Sequence, residues 1–362
     1  MMQTPIRRNY GCRISEFSFK GLRTVVMENE MLRIGILVDK GTDIYEFLYK
    51  PLDIDCMWQS RISIRGWQPR QESVPSIMGP FLDFYFGGWQ ELFPNTDEPC
   101  TVNGAELSLH GEACMMSWDY RIDLNEPDEI KVCFIVETIR MPFRFEKTLI
   151  LKKRQPSLEV KVKITNIGNE RMDFMWGLHP ALGKPFLNEG CIITIPECEI
   201  HSDAQISSEF SRVCVEQESK WPNAKGKNGN PIDLSFVPGE GADCNDRVEI
   251  RNLKEGWYAV TNPELGLTFS LIWDKEIFPH LLYWGSFCGW KGYPFYVTAY
   301  TLAIEPRSSF PFPLTRAIEK GTQLSLDGGD TLETTYRAMF APTVGKILSV
   351  TKNGVFTENN GE

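Results

Sequence analysis

The chain has 362 residues, with 38 basic against 48 acidic side chains and a formal net charge of −10. A surface of that sign repels nucleic-acid phosphates and anionic membranes, so neither is an expected partner. No run of about 18 apolar residues occurs, which excludes a spanning helix, and residues 1–8 are not followed by the apolar core of a signal peptide. Ten cysteines are scattered without a CxxC pair. In a chain this long they predict free thiols in a reducing cytoplasm rather than a disulfide framework.

In chain order the dominant pattern has a period of two. Lys40-Gly41-Thr42-Asp43 breaks an early strand, and residues 66–80 read as a loop. Leu158, Val160, Val162 and Ile164 alternate with Glu159, Lys161, Lys163 and Thr165, which predicts a half-buried strand closed by the turn 166–169. Residues 216–247 are rich in Gly, Asn, Asp, Lys and Pro and read as a long loop of the kind that carries binding groups. Leu267, Phe269, Leu271 and Trp273 repeat the strand pattern. So do Leu332, Thr334, Tyr336, Ala338 and Phe340, after the turn Asp327-Gly328-Gly329-Asp330. Helical periodicity is confined to Leu314–Lys320, with Gly321 as its stop. Many strands, frequent turns and almost no helix predict an all-β fold, a large antiparallel β-sandwich, with residues 1–362 as a single domain.

Against that background a few polar residues stand out. Gly87-Gly88-Trp89-Gln90-Glu91-Leu92-Phe93-Pro94-Asn95 is followed by Leu109-His110-Gly111-Glu112 and Trp118. A second histidine sits in Gly177-Leu178-His179-Pro180-Ala181, and a late glutamate in Ala303-Ile304-Glu305-Pro306. A neutral imidazole and a carboxylate are the groups that move protons on and off oxygen near neutral pH. Strand alternation sharpens the choice, because successive side chains point to opposite faces. His179 lies opposite Phe174, Trp176 and Leu178; Glu305 lies opposite Tyr300, Leu302 and Ile304, among small residues; His110 lies opposite Leu107 and Leu109. All three are expected on a face with room for a ligand. Of the four histidines, His201 and His280 read as structural.

These passages resemble those of the galactose mutarotase (aldose 1-epimerase) superfamily, in particular its less characterised branches. Gly87-Gly88, Phe93-Pro94, His110-Gly111 and Trp118 resemble one motif block, His179-Pro180 the second histidine motif, and Glu305-Pro306 the glutamate motif. The resemblance implies a supersandwich of antiparallel sheets with a sugar in a cleft, and a reaction that interconverts sugar anomers by ring opening and reclosure. By it Glu305 is the general base at the anomeric hydroxyl, His179 the general acid at the ring oxygen, and His110 an assistant at that oxygen or a group that orients the sugar. No metal and no organic cofactor are implied.

The early Arg that holds sugar hydroxyls in common aldose epimerases is replaced by Trp89, Gln90, Glu91 and Asn95, so Gln90, Glu91 and Asn95 are expected to bind substrate. Trp118 and Trp284 are expected as stacking walls, Asp246 as the contact to a distal hydroxyl, and Glu112 as a further hydroxyl ligand. Phe86 stands where hexose-6-phosphate enzymes carry an arginine. An unphosphorylated sugar is therefore expected, with Arg61, Arg65, Arg70 and Arg307 as the possible phosphate ligands otherwise. The alternatives are a non-catalytic carbohydrate-binding or sensing domain, a hexose-6-phosphate mutarotase, and a lyase or hydrolase, which would want paired carboxylates.

Overall fold

The computed structural model describes residues 8–66, 79–343, 346–350 and 356–359. Two large antiparallel sheets dominate it. The larger has twelve strands; its central run is Asp43–Tyr49, Trp89–Leu92, Gly177–Leu182, Tyr300–Arg307, His280–Phe287 and Cys244–Arg251. The smaller has eight strands, from Ile192–Thr194 through Trp257–Asn262, Leu267–Ile272, Thr331–Pro342, Ser157–Asn166, Phe143–Lys152 and Glu129–Glu137 to Asp119–Asn125. The three strands read from alternation appear as Ser157–Asn166, Leu267–Ile272 and Thr331–Pro342, and the one predicted helix as Leu314–Lys320 with Gly321 left-handed at φ 69°.

The sheets close over an aromatic core. Phe47 of the larger sheet meets Phe269 and Phe340 of the smaller at centroid distances of 5.7 and 5.6 Å. Leu178, Leu302 and Ile304 point into this core, whereas Ala181, Ala303 and Trp284 belong to a separate cluster on the outer face of the larger sheet. The alternation around His179 and Glu305 therefore sorts the side chains as the pleat requires. That outer face is covered by helix Gly79–Phe84 and by residues 289–298.

Two sequence expectations change. Of the expected loop 66–80, residues 79–80 begin the helix Gly79–Phe84 and residues 67–78 lie outside the described part. The segment 216–247 contains strands Gln217–Lys220, Asn223–Lys225 and Pro231–Asp233 and the start of Cys244–Arg251. Turn-rich composition there marks tight hairpins, which need the same Gly, Asn and Pro as a loop does.

A polar cluster is built into the core. Glu91 accepts hydrogen bonds from Tyr336 (2.5 Å) and Trp176 (2.9 Å) and faces Lys147 at 3.4 Å, all of them buried. Burial lowers the Lys147 ammonium, with Glu91 and Asp43 opposing. Glu91, from the larger sheet, thus ties itself to Lys147 and Tyr336 of the smaller. Removing one partner strands a charge out of water. Lys147→Met is expected to cost about 3–5 kcal/mol in urea unfolding, and the Glu91→Gln/Lys147→Met pair is expected to cost less than the sum of the two single changes.

Candidate active site

On the outer face of the larger sheet, Gly177 pairs with Arg307 and Ala181 with Ala303, which puts His179 directly across from Glu305. On the other side of that strand, Ala303 pairs with Trp284, and Trp284 with Arg247. Cross-strand partners share a face. One row therefore holds Ala181, Ala303, Trp284 and Arg247, and the next holds His179 and Glu305. They form the floor of a cavity of about 240 Å³. Its walls are Phe81, Leu82 and Tyr85 from the helical segment, Leu109 and His110 from a turn, and Trp290 and Phe295 from the 289–298 loop; Asp97, Glu98 and Arg307 complete the lining.

His179 Nε2 stands 3.5 Å from Glu305 Oε1, and His179 Nδ1 stands 3.4 Å from the Tyr85 hydroxyl. Burial, with Glu305 and Asp43 adding to it, raises the Tyr85 phenol well above its ordinary range, so it stays protonated. Burial also lowers His179, against the opposing pull of Glu305. A neutral His179 places its proton on Nε2, toward the carboxylate, and accepts the Tyr85 O–H at Nδ1.

His110 reaches the cavity from a turn rather than a strand. Its φ is 63°, in the left-handed region. The Asp97 N–H donates to His110 Nδ1 (3.0 Å), and the His110 N–H donates back to the Asp97 carbonyl (2.9 Å). Burial first, then His179, Arg307 and Arg247, hold His110 well below the usual histidine range. With Nδ1 committed as an acceptor, the neutral ring carries its proton on Nε2. The two imidazole rings lie 5.6 Å apart, and Phe81 meets His110 edge-on at 4.5 Å.

A line of charges runs beside the pair. Arg247 Nη2 donates to Asp97 Oδ2 (2.6 Å), and Arg307 Nη2 donates to Glu305 Oε2 (2.6 Å) while lying 3.7 Å from Asp97 Oδ2. Trp284 donates from Nε1 to Asn245 and packs parallel to Phe295 at 6.2 Å, with Trp58 meeting both edge-on.

The structure thus brings His110, His179, Glu305 and Trp284 together and leaves six expected sugar ligands elsewhere. Trp118 is fully buried between the sheets, donates to the Ala113 carbonyl and packs on Phe145. Glu91 belongs to the intersheet cluster, because its parity within Trp89–Leu92 is that of the core face. Gln90 pairs with His179, but its amide donates to Gly87 O (2.6 Å) and Asp43 (3.2 Å). Asn95 accepts the Leu314 N–H at the start of helix Leu314–Lys320 and donates to Glu98 O and Ser108 O. Asp246 points away from Arg247 and is held by Arg212 at 2.7 Å. Glu112 binds the N–H groups of Ile139 and Arg140. Arg61 donates to Pro294 O and Arg65 to Ile62 O, while Arg70 lies outside the described residues.

Asp97, Arg247, Tyr85, Phe81 and Phe295 were not among the expected ligands. For Arg247 a signal existed: it follows Asp246, and the strand parity that turns one away from the cavity turns the other toward it. Among the described residues no group of three or more His, Cys, Asp or Glu is arranged to hold a metal, and no helix is long and apolar enough to cross a membrane.

Comparison with known proteins follows the same lines. No curated protein matches the chain in sequence. Among solved structures, a Klebsiella pneumoniae protein assigned provisionally as an aldose 1-epimerase superposes with a TM-score of 0.70 at 16% identity, over 91% of this chain and 84% of its own. A galactose mutarotase-like protein from Clostridium acetobutylicum gives 0.62 at 12% identity, over 92% and 99%. A galactose mutarotase related enzyme from Lactobacillus acidophilus gives 0.59 at 16% identity, over 88% and 98%. Residues 19–338 match the family described as a domain of unknown function, DUF4432. With that span of its length matched, the chain belongs to the DUF4432 family, and its fold is that of the galactose mutarotase-like proteins.

Proposed function

We propose that this protein is an aldose 1-epimerase-like isomerase that interconverts the anomers of a sugar. The observation that supports this reading best is the pairing of His179 Nε2 with Glu305 Oε1 at 3.5 Å, on the floor of a cavity walled by aromatic rings. Glu305 takes the proton of the anomeric hydroxyl while protonated His179 gives its proton to the ring oxygen, and the C1–O5 bond breaks to leave an open-chain aldehyde. Rotation about C1–C2 and reclosure return the ring-oxygen proton to His179 and the Glu305 proton to the new anomeric oxygen. His110 donates from Nε2 toward the ring oxygen, and its low affinity for protons keeps it a neutral donor. Ring faces such as Trp284 suit the C–H side of a sugar. Ten free thiols suit a reducing compartment, which fits a place in the cytoplasm.

A second reading, a carbohydrate-binding domain without turnover, draws on one observation. Gln90, Glu91 and Asn95, which stand where a sugar clamp is expected, are engaged with the protein's own groups.

Exchange between α and β anomers, followed by proton NMR on freshly dissolved aldoses, tests the isomerase. Glu305→Gln is expected to lower the rate by about 10²–10⁴-fold; an active variant, or no acceleration over buffer by the native protein, sinks it. The working state needs one proton more than neutral His179 with ionised Glu305. Since burial holds His179 below the usual 6.5, the protonated fraction falls about tenfold per pH unit above that lowered value. The rate constant kcat/KM is therefore expected to fall as pH rises from about 6 to 8, and a rate that climbs over that window contradicts His179 as the acid.

A further inference from the structure

Arg307 stands out among the cavity residues because its guanidinium is only partly used. The side chain is 4% exposed. Nη2 serves Glu305 and Asp97, but Nε and Nη1 are buried with no partner in the protein. That leaves three N–H donors on a cation that lines the cavity. The residue across the sheet is Gly177, and it has to be small: a Cβ there would stand 2.8 Å from Arg307 Cδ. The glycine lets the arginine lie across the neighbouring strand, beside His179 and Glu305.

Charge decides what those donors are for. The cavity's two arginines, Arg247 and Arg307, are already matched by Asp97 and Glu305, with Glu98 as a third carboxylate in the lining. A phosphate or carboxylate entering here adds a negative charge that no spare cation offsets, in a place where burial makes that costly. A neutral hydroxyl or ring oxygen satisfies the free N–H groups without adding charge. Resting on the reading that the cavity takes a sugar, we infer that Arg307 is a substrate-binding residue and that the sugar is uncharged, one or more of its oxygens accepting from Nε and Nη1. Arg307 is then no phosphate ligand, although it is the basic residue nearest the reacting groups.

Calorimetry on the full chain tests this with neutral aldopentoses and aldohexoses, their terminal phosphates and the matching uronates. At least one neutral aldose is expected to bind, with its phosphate and uronate weaker by at least about tenfold. Arg307→Gln is expected to weaken the neutral sugar by about 10–100-fold. Gly177→Ala, which keeps every charge but displaces the arginine stem, is expected to weaken it in the same direction and decides the matter if Arg307→Gln does not fold. An anionic sugar bound as tightly as its neutral counterpart, native-like binding by a folded variant, or no neutral sugar bound at all overturns the inference. The readout is binding rather than exchange. Arg307-dependent binding without anomer exchange removes the isomerase and leaves this inference standing; exchange that persists in Arg307→Gln with an unchanged KM does the reverse.

Discussion

The carboxylate and backbone of Asp97 hold the cavity's polar groups in one arrangement. Its Oδ2 binds Arg247 and stands near Arg307, which in turn grips Glu305. Its N–H and C=O exchange hydrogen bonds with His110, and this fixes the tautomer of that ring. Such a reciprocal contact needs the backbone to turn sharply at both ends. Asp97 and His110 both adopt left-handed conformations, at φ 60° and 63°, which residues other than glycine do at some cost. One residue therefore sets the charge balance of two arginines and the proton position of one histidine. Deleting its carboxylate would take Arg247's partner away and leave the buried Arg307 with Glu305 alone.

The apolar wall gives those groups their strength. Tyr85, Phe81, Trp284 and Phe295 keep water away from the imidazoles, and the downward shifts of both histidines follow from that burial. Part of the wall is held at a price in backbone conformation. Tyr296 and Val297, just after Phe295, have φ of 47° and 68°, and a β-branched residue rarely adopts such a value. The loop is fastened by Tyr293, which donates to Asp83 of helix Gly79–Phe84, and by the Arg61 guanidinium over the Tyr296 ring at 4.8 Å. The two covering segments are thereby linked to each other across the mouth of the cavity.

Much of this was legible in the sequence where a simple period governs. The strands around Val160, Phe269 and Tyr336 follow from alternation, and so does the orientation of His179 and Glu305, because a pleated strand leaves no third direction for a side chain. His110 was found by its motif, while the parity argument offered for it does not apply to a turn. The expected ligands Gln90, Glu91, Asn95, Trp118 and Asp246 lie off the cavity for a shared reason. Polar residues close in sequence to a site are often there to anchor the segments that build it, and only the fold shows whether a carboxylate such as Glu91 meets a cavity or a buried lysine 56 positions away. Asp97 and Arg247 escaped because their value lies in a contact across 150 residues, which no local pattern records.

The cross-strand placement of His179 and Glu305 also bears on how such a protein diversifies. Their separation is set by the spacing of two hydrogen-bonded neighbours, about 4.7–4.9 Å between strand axes, and by a register fixed at Gly177–Arg307 and Ala181–Ala303. The walls that meet the rest of a ligand come from a short helix, a turn and a loop, all outside that ladder. Insertions and replacements in the walls can thus reshape what enters the cavity while the distance between imidazole and carboxylate stays constant. The sheet acts as a ruler that holds imidazole and carboxylate at one distance whatever the walls admit.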